Sequence, residues 1–127
     1  MAKVVIVEDD EAIRKLHGTI LRKHGYDVIE REDARSLNAL VCAAEPVAVL
    51  MDLSLPGVNG ITATEQLRTD PRISRTRVVM VTAHDTFEAA RQAVDAGVDR
   101  ILIKPVPMEE LIAAVEGRRL ERPRKRG

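Results

Sequence analysis

Aromatic residues are almost absent from this chain of 127 residues, which has no tryptophan and only Tyr26 and Phe87. A surface that stacks single-stranded bases needs several aromatic side chains, so this mode of nucleic-acid binding is disfavoured. The single cysteine, Cys42, cannot form a disulfide within the chain and is expected to be a small buried residue of a helix. No apolar stretch approaches the ~20 residues that cross a membrane, and no segment resembles a signal peptide. We therefore expect a cytoplasmic protein without a membrane partner.

The charges balance over the whole chain, with 20 basic and 20 acidic residues, but they are distributed unevenly. Residues 118–127 contain six basic residues and one acidic residue, so this basic C-terminal tail carries about +5 and residues 1–117 carry about −5. We interpret residues 1–117 as one domain and residues 118–127 as a solvated tail or the beginning of a linker. A nucleic-acid-binding arm is the alternative, but the tail is short and has no folded reader. The acidic domain is suited to binding a cation.

Four short apolar runs, rich in β-branched residues, each end on a polar side chain. Such runs are typical of strands that are buried on both faces, as in a parallel sheet. In open α/β sheets the functional crevice lies beyond the carboxyl ends of the strands, so one edge should collect these polar residues. The runs are 4–7, 47–51, 78–81 and 101–103, and the polar residues that follow them are Glu8-Asp9-Asp10, Asp52, Thr82 and Lys104.

Amphipathic helical patterns alternate with these runs, and a further run, 26–30, is short and mixed in polarity as an edge strand should be. The alternation predicts an α/β fold, a flavodoxin-like (βα)5 domain with a five-stranded parallel sheet in the order 2-1-3-4-5 and helices on both faces. Asp85, with Glu88 three residues later, is expected to begin the fourth helix. The predicted apolar stripes are Ile13/Leu16/Ile20/Leu21, Ala34/Leu37/Val41/Ala44, Ile61/Thr64/Leu67/Arg68, Phe87/Ala90/Val94 and Met108/Leu111/Ile112/Val115.

In the strand order 2-1-3-4-5, three carboxylates follow two neighbouring strands. Glu8 and Asp9 follow the first strand and Asp52 follows the third, so the three should lie close together. Mg²⁺ is a hard octahedral cation that binds one or two carboxylates plus water and phosphate oxygens, and it would relieve their repulsion. Glu8, Asp9 and Asp10 could instead serve the first helix, because acids cap free N–H groups and favour its dipole. That alternative does not explain Asp52, which ends an otherwise apolar strand.

Lys104 and Thr82 end the two remaining strands at this edge. A lysine after a buried strand can simply reach solvent, but beside a carboxylate cluster it is a natural counter-charge and a donor to a phosphoryl oxygen. Threonine is common in strands, so Thr82 is a weak signal by itself, although its hydroxyl could bond a second phosphoryl oxygen. Together these groups suit a divalent cation and a phosphoryl group.

In these segments the chain resembles the receiver domain of two-component response regulators over residues 3 to about 116. The resemblance rests on four segments in order, VVIVEDD (4–10), MDLSLPGVNG (51–60), VTA (81–83) and IKP (103–105). By position, the resemblance implies that Asp52 is the phosphoacceptor. It implies that the acidic pair Glu8 and Asp9 binds Mg²⁺ together with Asp52 and the backbone carbonyl of Ser54. It also implies that Thr82 is the switch hydroxyl, that Lys104 binds the phosphoryl group, and that Pro105 follows a cis peptide bond.

The resemblance also implies a function. A phosphoryl group would pass from a histidine kinase or a histidine phosphotransfer protein onto Asp52 with Mg²⁺, and the chain would signal by protein–protein interaction as a stoichiometric phosphoacceptor, not an enzyme. One departure is Ile101, which stands where the family usually has Tyr or Phe. Either Thr82 couples to Ile101 and its neighbours by packing alone, or another surface carries the signal.

Of the three histidines, His17 and His24 have no acid or cysteine at metal-ligand spacing. His84 lies two residues beyond Thr82, where residues of the resembled family influence dephosphorylation; the alternative is an ordinary loop histidine. His17 and His24 fall on the first helix, where we expect them at the surface.

Several functional hypotheses remain open from the sequence. The first is a stand-alone phosphoacceptor, monomer or homodimer, with an unknown downstream protein target. The second is a receiver fragment of a larger regulator whose DNA-binding or enzymatic output domain is missing from this chain. A third, a phosphatase like the haloacid dehalogenases, would need a second aspartate two positions after Asp52, where Ser54 stands. Nucleotide binding is disfavoured because no Gly-rich phosphate loop follows any strand.

Overall fold

The computed structural model describes residues 1–120, in which five strands alternate with five helices. In chain order the elements are β1 (Lys3–Val7), α1 (Glu11–Lys23), β2 (Asp27–Arg31), α2 (Leu37–Ala44), β3 (Ala48–Asp52), α3 (Gly60–Thr69), β4 (Val78–Thr82), α4 (Phe87–Ala96), β5 (Arg100–Ile103) and α5 (Met108–Glu116). All the strand pairs are parallel, and the order β2-β1-β3-β4-β5 confirms the predicted flavodoxin-like sheet.

The core has two layers because alternate residues of the inner strands face opposite sides of the sheet. Helices cover both faces, as predicted, and the strand residues between them are buried. On one face Val5, Val49 and Met51 pack with Leu37 and Val41 of α2 and Leu67 of α3, and on the other Val4, Leu50 and Val79 pack with Leu21 of α1 and Leu111 of α5.

Helix α1 buries Leu21 of its predicted apolar stripe, but its buried face also includes polar residues and leaves Leu16 in solvent. Arg14 and His17 are buried, whereas Leu16 is 57 % exposed. The expectation of a surface position is therefore wrong for His17 and confirmed for His24, which is exposed. The burial of His17 lowers the pKa of its imidazole, and the nearby charge of Lys104 lowers it further.

The apolar stripe predicted for α4 also lies in solvent. Phe87 is 83 % exposed and Val94 is 64 % exposed, with Ala90 half buried between them. The helix instead buries the small side chains of Ala93 and Ala96, and its main helical neighbour is α3. Large apolar side chains are therefore not what holds α4 in place.

Two helix boundaries differ from those expected. Thr86, not Asp85, caps α4, because its Oγ1 accepts the N–H three residues later at 3.1 Å. Helix α2 begins at Leu37, although Ala34 before it is buried as its stripe predicted. Cys42 is half buried against the α2–α3 side of the core.

The C-terminal tail is described only over residues 118–120, which are exposed. The remaining tail residues, 121–127, lie outside the described residues. Within residues 1–120 the structure has no helix with the length and hydropathy of a membrane span.

Candidate functional site

The carboxyl edge of the sheet brings the predicted polar residues together. In the ladder Val7 is paired with Met51, so Glu8 and Asp52, which follow them, are neighbours. Asp52 is paired with Val81, and Thr82 with Ile103, directly before Lys104. Glu8, Asp52 and Thr82 are all buried, at 3 %, 6 % and 2 % exposure, although each is polar. Buried polar groups need partners, so their contacts define the chemistry of this edge.

Lys104 bridges the two buried carboxylates. Its Nζ lies 2.8 Å from Glu8 Oε1 and 3.0 Å from Asp52 Oδ2. Burial alone would lower the pKa of Lys104, but the hydrogen bonds and charges of the two carboxylates raise it above its ordinary value. The lysine is therefore a fixed positive charge against the carboxylate of Asp52.

Glu8 has the most strongly perturbed acidity at this edge. Its burial, followed by the shared hydrogen bond and the negative charge of Asp52, raises its pKa to about 7, although Lys104 acts in the opposite direction. The carboxyl group of Glu8 therefore holds a proton more readily than an ordinary glutamate does.

The carboxylates of Glu8, Asp9 and Asp52 form a potential cation site. One oxygen from each lies within 4.8 Å of the other two, and Asp9 is exposed to solvent. Oδ1 of Asp52 accepts the backbone N–H of Ser54 at 3.0 Å. Hard carboxylate oxygens with an open side for water are what Mg²⁺ prefers, so the donor set fits this ion.

A cleft of about 370 Å³ opens over these groups. Thr82 is not among its described lining residues, because its buried Oγ1 instead accepts the backbone N–H of His84 at 2.9 Å. The structure thus brings Thr82 to the correct edge but holds its hydroxyl against the following loop. The lining residues are Glu8, Asp9, Asp10, Ile13, Asp52, Ser54, Ala83, His84 and Lys104.

Ile101, which replaces the usual aromatic residue, and Pro105 lie on either side of Lys104 in the chain. Ile101 is half buried on β5, where it pairs with Met80 of β4. The Lys104–Pro105 peptide bond is cis, as the resemblance implied.

Gly60 and Arg14 contact the site, although neither was predicted to have a role there. A Cβ built on Gly60 would overlap the carbonyl oxygen of Asp52 and lie 3.0 Å from the Cα of Leu53. Glycine therefore lets the first turn of α3 approach the backbone of Asp52 closely. The position of Gly60 at the end of a matched segment was an available signal. No sequence signal predicts the contact of Arg14 with Glu8, because a charged residue on α1 is ordinarily expected in solvent.

Comparisons with known proteins identify the family of this chain. The family model of the response regulator receiver domain matches residues 4–116. The chain therefore belongs to the response regulator receiver-domain family of two-component signalling.

Two curated relatives and one solved structure illustrate the range of the family. The DNA-binding dual master transcriptional regulator RpaA of Synechocystis is 36 % identical over 115 residues, which are 91 % of this chain and 48 % of RpaA. Protein PilH of Pseudomonas aeruginosa is 34 % identical over 115 residues, 91 % of this chain and 95 % of PilH. The solved structure is the receiver domain of the sensor histidine kinase PA1611 of Pseudomonas aeruginosa, with a magnesium ion coordinated in its active-site cleft. It matches this chain with a TM-score of 0.84 and 25 % sequence identity, over 91 % of this chain and 95 % of the PA1611 domain. The chain thus spans about half the length of RpaA and nearly all of PilH.

Proposed function

We propose that the chain is a phosphoacceptor switch that takes a phosphoryl group onto Asp52 from a histidine kinase or a histidine phosphotransfer protein. The observation that carries the proposal is the position of the Asp52 carboxylate, which is buried, faces a cleft, and is held by Lys104 and the N–H of Ser54. A stoichiometric phosphoacceptor needs a nucleophile that is held in place for attack on phosphorus, as this carboxylate is. It differs from an enzyme because it need not release the phosphoryl group in a catalytic cycle.

The chain's residues have distinct parts in the transfer. The transition state of phosphoryl transfer is loose, so positioning and charge neutralisation supply most of the catalysis. Asp52 attacks phosphorus as the carboxylate, so that a P–O bond to Asp52 forms as the P–N bond to the donor's histidine breaks and the imidazole remains on the donor. Lys104 moves its ammonium charge from the carboxylates to a phosphoryl oxygen. Thr82 leaves the N–H of His84 and donates its hydroxyl to another phosphoryl oxygen. His84, at the rim of the cleft, is placed to influence the hydrolysis of the acyl phosphate.

Mg²⁺ would be held by the carboxylates of Glu8, Asp9 and Asp52 with the backbone carbonyl of Ser54. When bound, it supplies positive charge that neutralises the phosphoryl oxygens as the bond to Asp52 forms. The receiver domain of PA1611, which has a magnesium ion in its active-site cleft, supports this part of the proposal.

The output is protein–protein interaction in the cytoplasm by a monomer or homodimer. The displacement of Thr82 would change the loop after β4 and the adjoining α4, which holds few large buried side chains. Because Ile101 replaces the usual aromatic residue, the coupling to β5 would occur by packing alone, or another surface would carry the signal. Residues 1–117 form the receiver in this proposal and residues 118–127 a solvated tail or linker.

A receiver fragment of a larger regulator is the second candidate. It is favoured by relatives such as RpaA, of which the chain spans 48 %. Near-complete coverage of PilH, 95 %, favours the stand-alone form. In both cases Asp52 has the same role.

The test of the proposed function is phosphorylation by a small donor, acetyl phosphate, with Mg²⁺. The protein should gain one phosphoryl group that hydroxylamine removes, because hydroxylamine cleaves acyl phosphates. EDTA should suppress the gain, because it removes Mg²⁺. A hydroxylamine-resistant group, or no group, would contradict the proposal.

Mg²⁺ should stabilise the wild-type protein, because an ion that binds only the folded state raises its unfolding free energy, by about 2.7 kcal/mol at a hundred times the dissociation constant. Asp9→Ala should weaken Mg²⁺ binding by at least about tenfold, since losing even an outer-shell partner of a metal typically costs that much. A thermal-unfolding titration measures both. Asp10→Asn, which removes one charge from the same cleft but is not one of the three clustered acids, is the control. Equal stabilisation of wild type and Asp9→Ala would show that the ion binds elsewhere.

The affinity for Mg²⁺ should fall as the pH is lowered through about 7, because the raised pKa of Glu8 makes this carboxylate take up a proton in that range. Calorimetric titrations between about pH 8 and pH 6 measure the slope, a range that leaves ordinary carboxylates ionised. Glu8→Gln should bind Mg²⁺ more weakly and with a smaller pH dependence. An unchanged slope in this variant would assign the proton to another group.

A further inference from the structure

Arg14 is a buried charge beside the site with no part in the proposed transfer. It lies near the N-terminus of α1 and is 7 % exposed. Its Nη1 donates a hydrogen bond to the backbone carbonyl of Glu8 at 2.8 Å. Burying a guanidinium is costly unless it is hydrogen-bonded and paired, so the contacts of Arg14 specify where it lies.

The carbonyl that Arg14 binds lies just beyond the end of a β-ladder. The last residue of β1 is Val7, and the N–H of Glu8 still donates to the carbonyl of Arg31 at 3.0 Å. The carbonyl of Glu8 belongs to the peptide unit that continues to Asp9. Because a peptide unit is planar, the direction of this carbonyl also fixes the direction in which the chain enters Asp9.

Glu30 of β2 holds the other side of the guanidinium. Its Oε1 lies 3.6 Å from Arg14 Nε, and Lys15 and Arg22 approach the same carboxylate at 3.3 Å and 2.8 Å. Burial would raise the pKa of Glu30, but the close approach of the positively charged Arg22 and Lys15 holds it below its ordinary value. Glu30 is therefore an ionised anchor for Arg14.

We propose that Arg14 is a positioning residue of the metal and phosphoryl site. Held by Glu30, its guanidinium fixes the peptide between Glu8 and Asp9, so that both carboxylates face Asp52. This inference rests on the proposed function, and it gives the edge strand β2 a part in shaping the site. Arg14 acts through the backbone and touches neither the metal nor the reacting atoms.

The experiment compares Arg14→Met with Arg22→Met. Each variant removes one cation from Glu30, but only Arg14 contacts Glu8, so Arg22→Met is a matched control for loss of the ion pair. Mg²⁺ alone is titrated and followed by calorimetry and by the ¹⁵N amide shift of Asp9. Arg14→Met should weaken Mg²⁺ binding about tenfold or more and move the free-state Asp9 signal. Arg22→Met should change the affinity by less than about twofold, in keeping with an exposed ion pair.

Arg14→Lys keeps the test decisive if Arg14→Met does not fold. A lysine can donate to one carbonyl but lacks the planar fork that binds a carbonyl and a carboxylate together, so a loss of affinity smaller than that of Arg14→Met is expected. The inference is overturned if a folded Arg14 variant binds Mg²⁺ as wild type does, or if Arg22→Met loses as much affinity as Arg14→Met. Failure of wild type to bind Mg²⁺ would overturn the metal part of the proposed function, and this inference with it.

Discussion

Asp52→Asn should abolish phosphorylation by acetyl phosphate in the presence of Mg²⁺. The amide is nearly the same size as the carboxylate, but it is not a nucleophile toward phosphorus, and it removes the negative charge that Lys104 faces at 3.0 Å. The expected loss is complete within the detection limit of a phosphate-affinity gel. The variant should remain folded, because the amide oxygen can still accept the N–H of Ser54.

Asp10→Asn is the matched control for that experiment. Asp10 lines the same cleft, and its side chain accepts the N–H of Ile13 at 2.9 Å as the N-cap of α1. Asparagine caps a helix about as well as aspartate, so this variant loses one charge without losing the helix. It should be phosphorylated at a rate close to that of wild type. Undiminished labelling of Asp52→Asn would exclude Asp52 as the acceptor.

Gly60→Ala should both destabilise the domain and slow phosphorylation. The new methyl group would overlap the carbonyl oxygen of Asp52 and press on Leu53, so the backbone that carries the acceptor must shift. Overpacking of this kind costs about 1–3 kcal/mol. Chemical denaturation measures the unfolding free energy, and acetyl phosphate labelling measures the rate.

Gly57→Ala separates this clash from the general cost of replacing a glycine. Gly57 lies in the same connection with a φ of 72°, and no heavy atom lies within 4 Å of a Cβ built there. The unfolding free energy of Gly57→Ala should fall by about 1–2 kcal/mol, because alanine is disfavoured in the left-handed backbone conformation. Its phosphorylation rate should stay that of wild type. If Gly57→Ala slowed phosphorylation as much as Gly60→Ala, the close approach to Asp52 would not be the cause.

The sheet was predictable from the sequence because its inner strands are buried on both faces. Such strands must be continuously apolar, so the polar residue that ends each of them stands out, as Asp52 does after 48–51. Parallel order then places those polar residues at one edge. The cluster of Glu8, Asp9 and Asp52 follows from two strand ends and the strand order alone.

The buried faces of α1 and α4 were less predictable than the sheet, because charged or small residues make up much of them. In α1 the partners of Arg14 are the backbone carbonyl of Glu8 and the carboxylates of Glu30 and Glu32, and no local pattern encodes contacts between distant segments. In α4 the buried residues are small, so Phe87 and Val94 dominated the apolar pattern although they lie in solvent. Thr82 lies at the predicted edge of the sheet. The bond that its hydroxyl accepts from the N–H of His84 could not be predicted, because it depends on the course of the loop after β4.

The central claim is that the side chain of Asp52 itself receives the phosphoryl group, and locating that group tests it most directly. Wild-type protein is phosphorylated with acetyl phosphate and Mg²⁺, reduced with borohydride, and sequenced by mass spectrometry, since reduction converts a phosphorylated aspartate to homoserine. The account predicts homoserine at position 52 and unmodified aspartate at positions 9 and 10. Homoserine at position 9 or 10, or phosphate retained on a histidine with Asp52 unmodified, would contradict it.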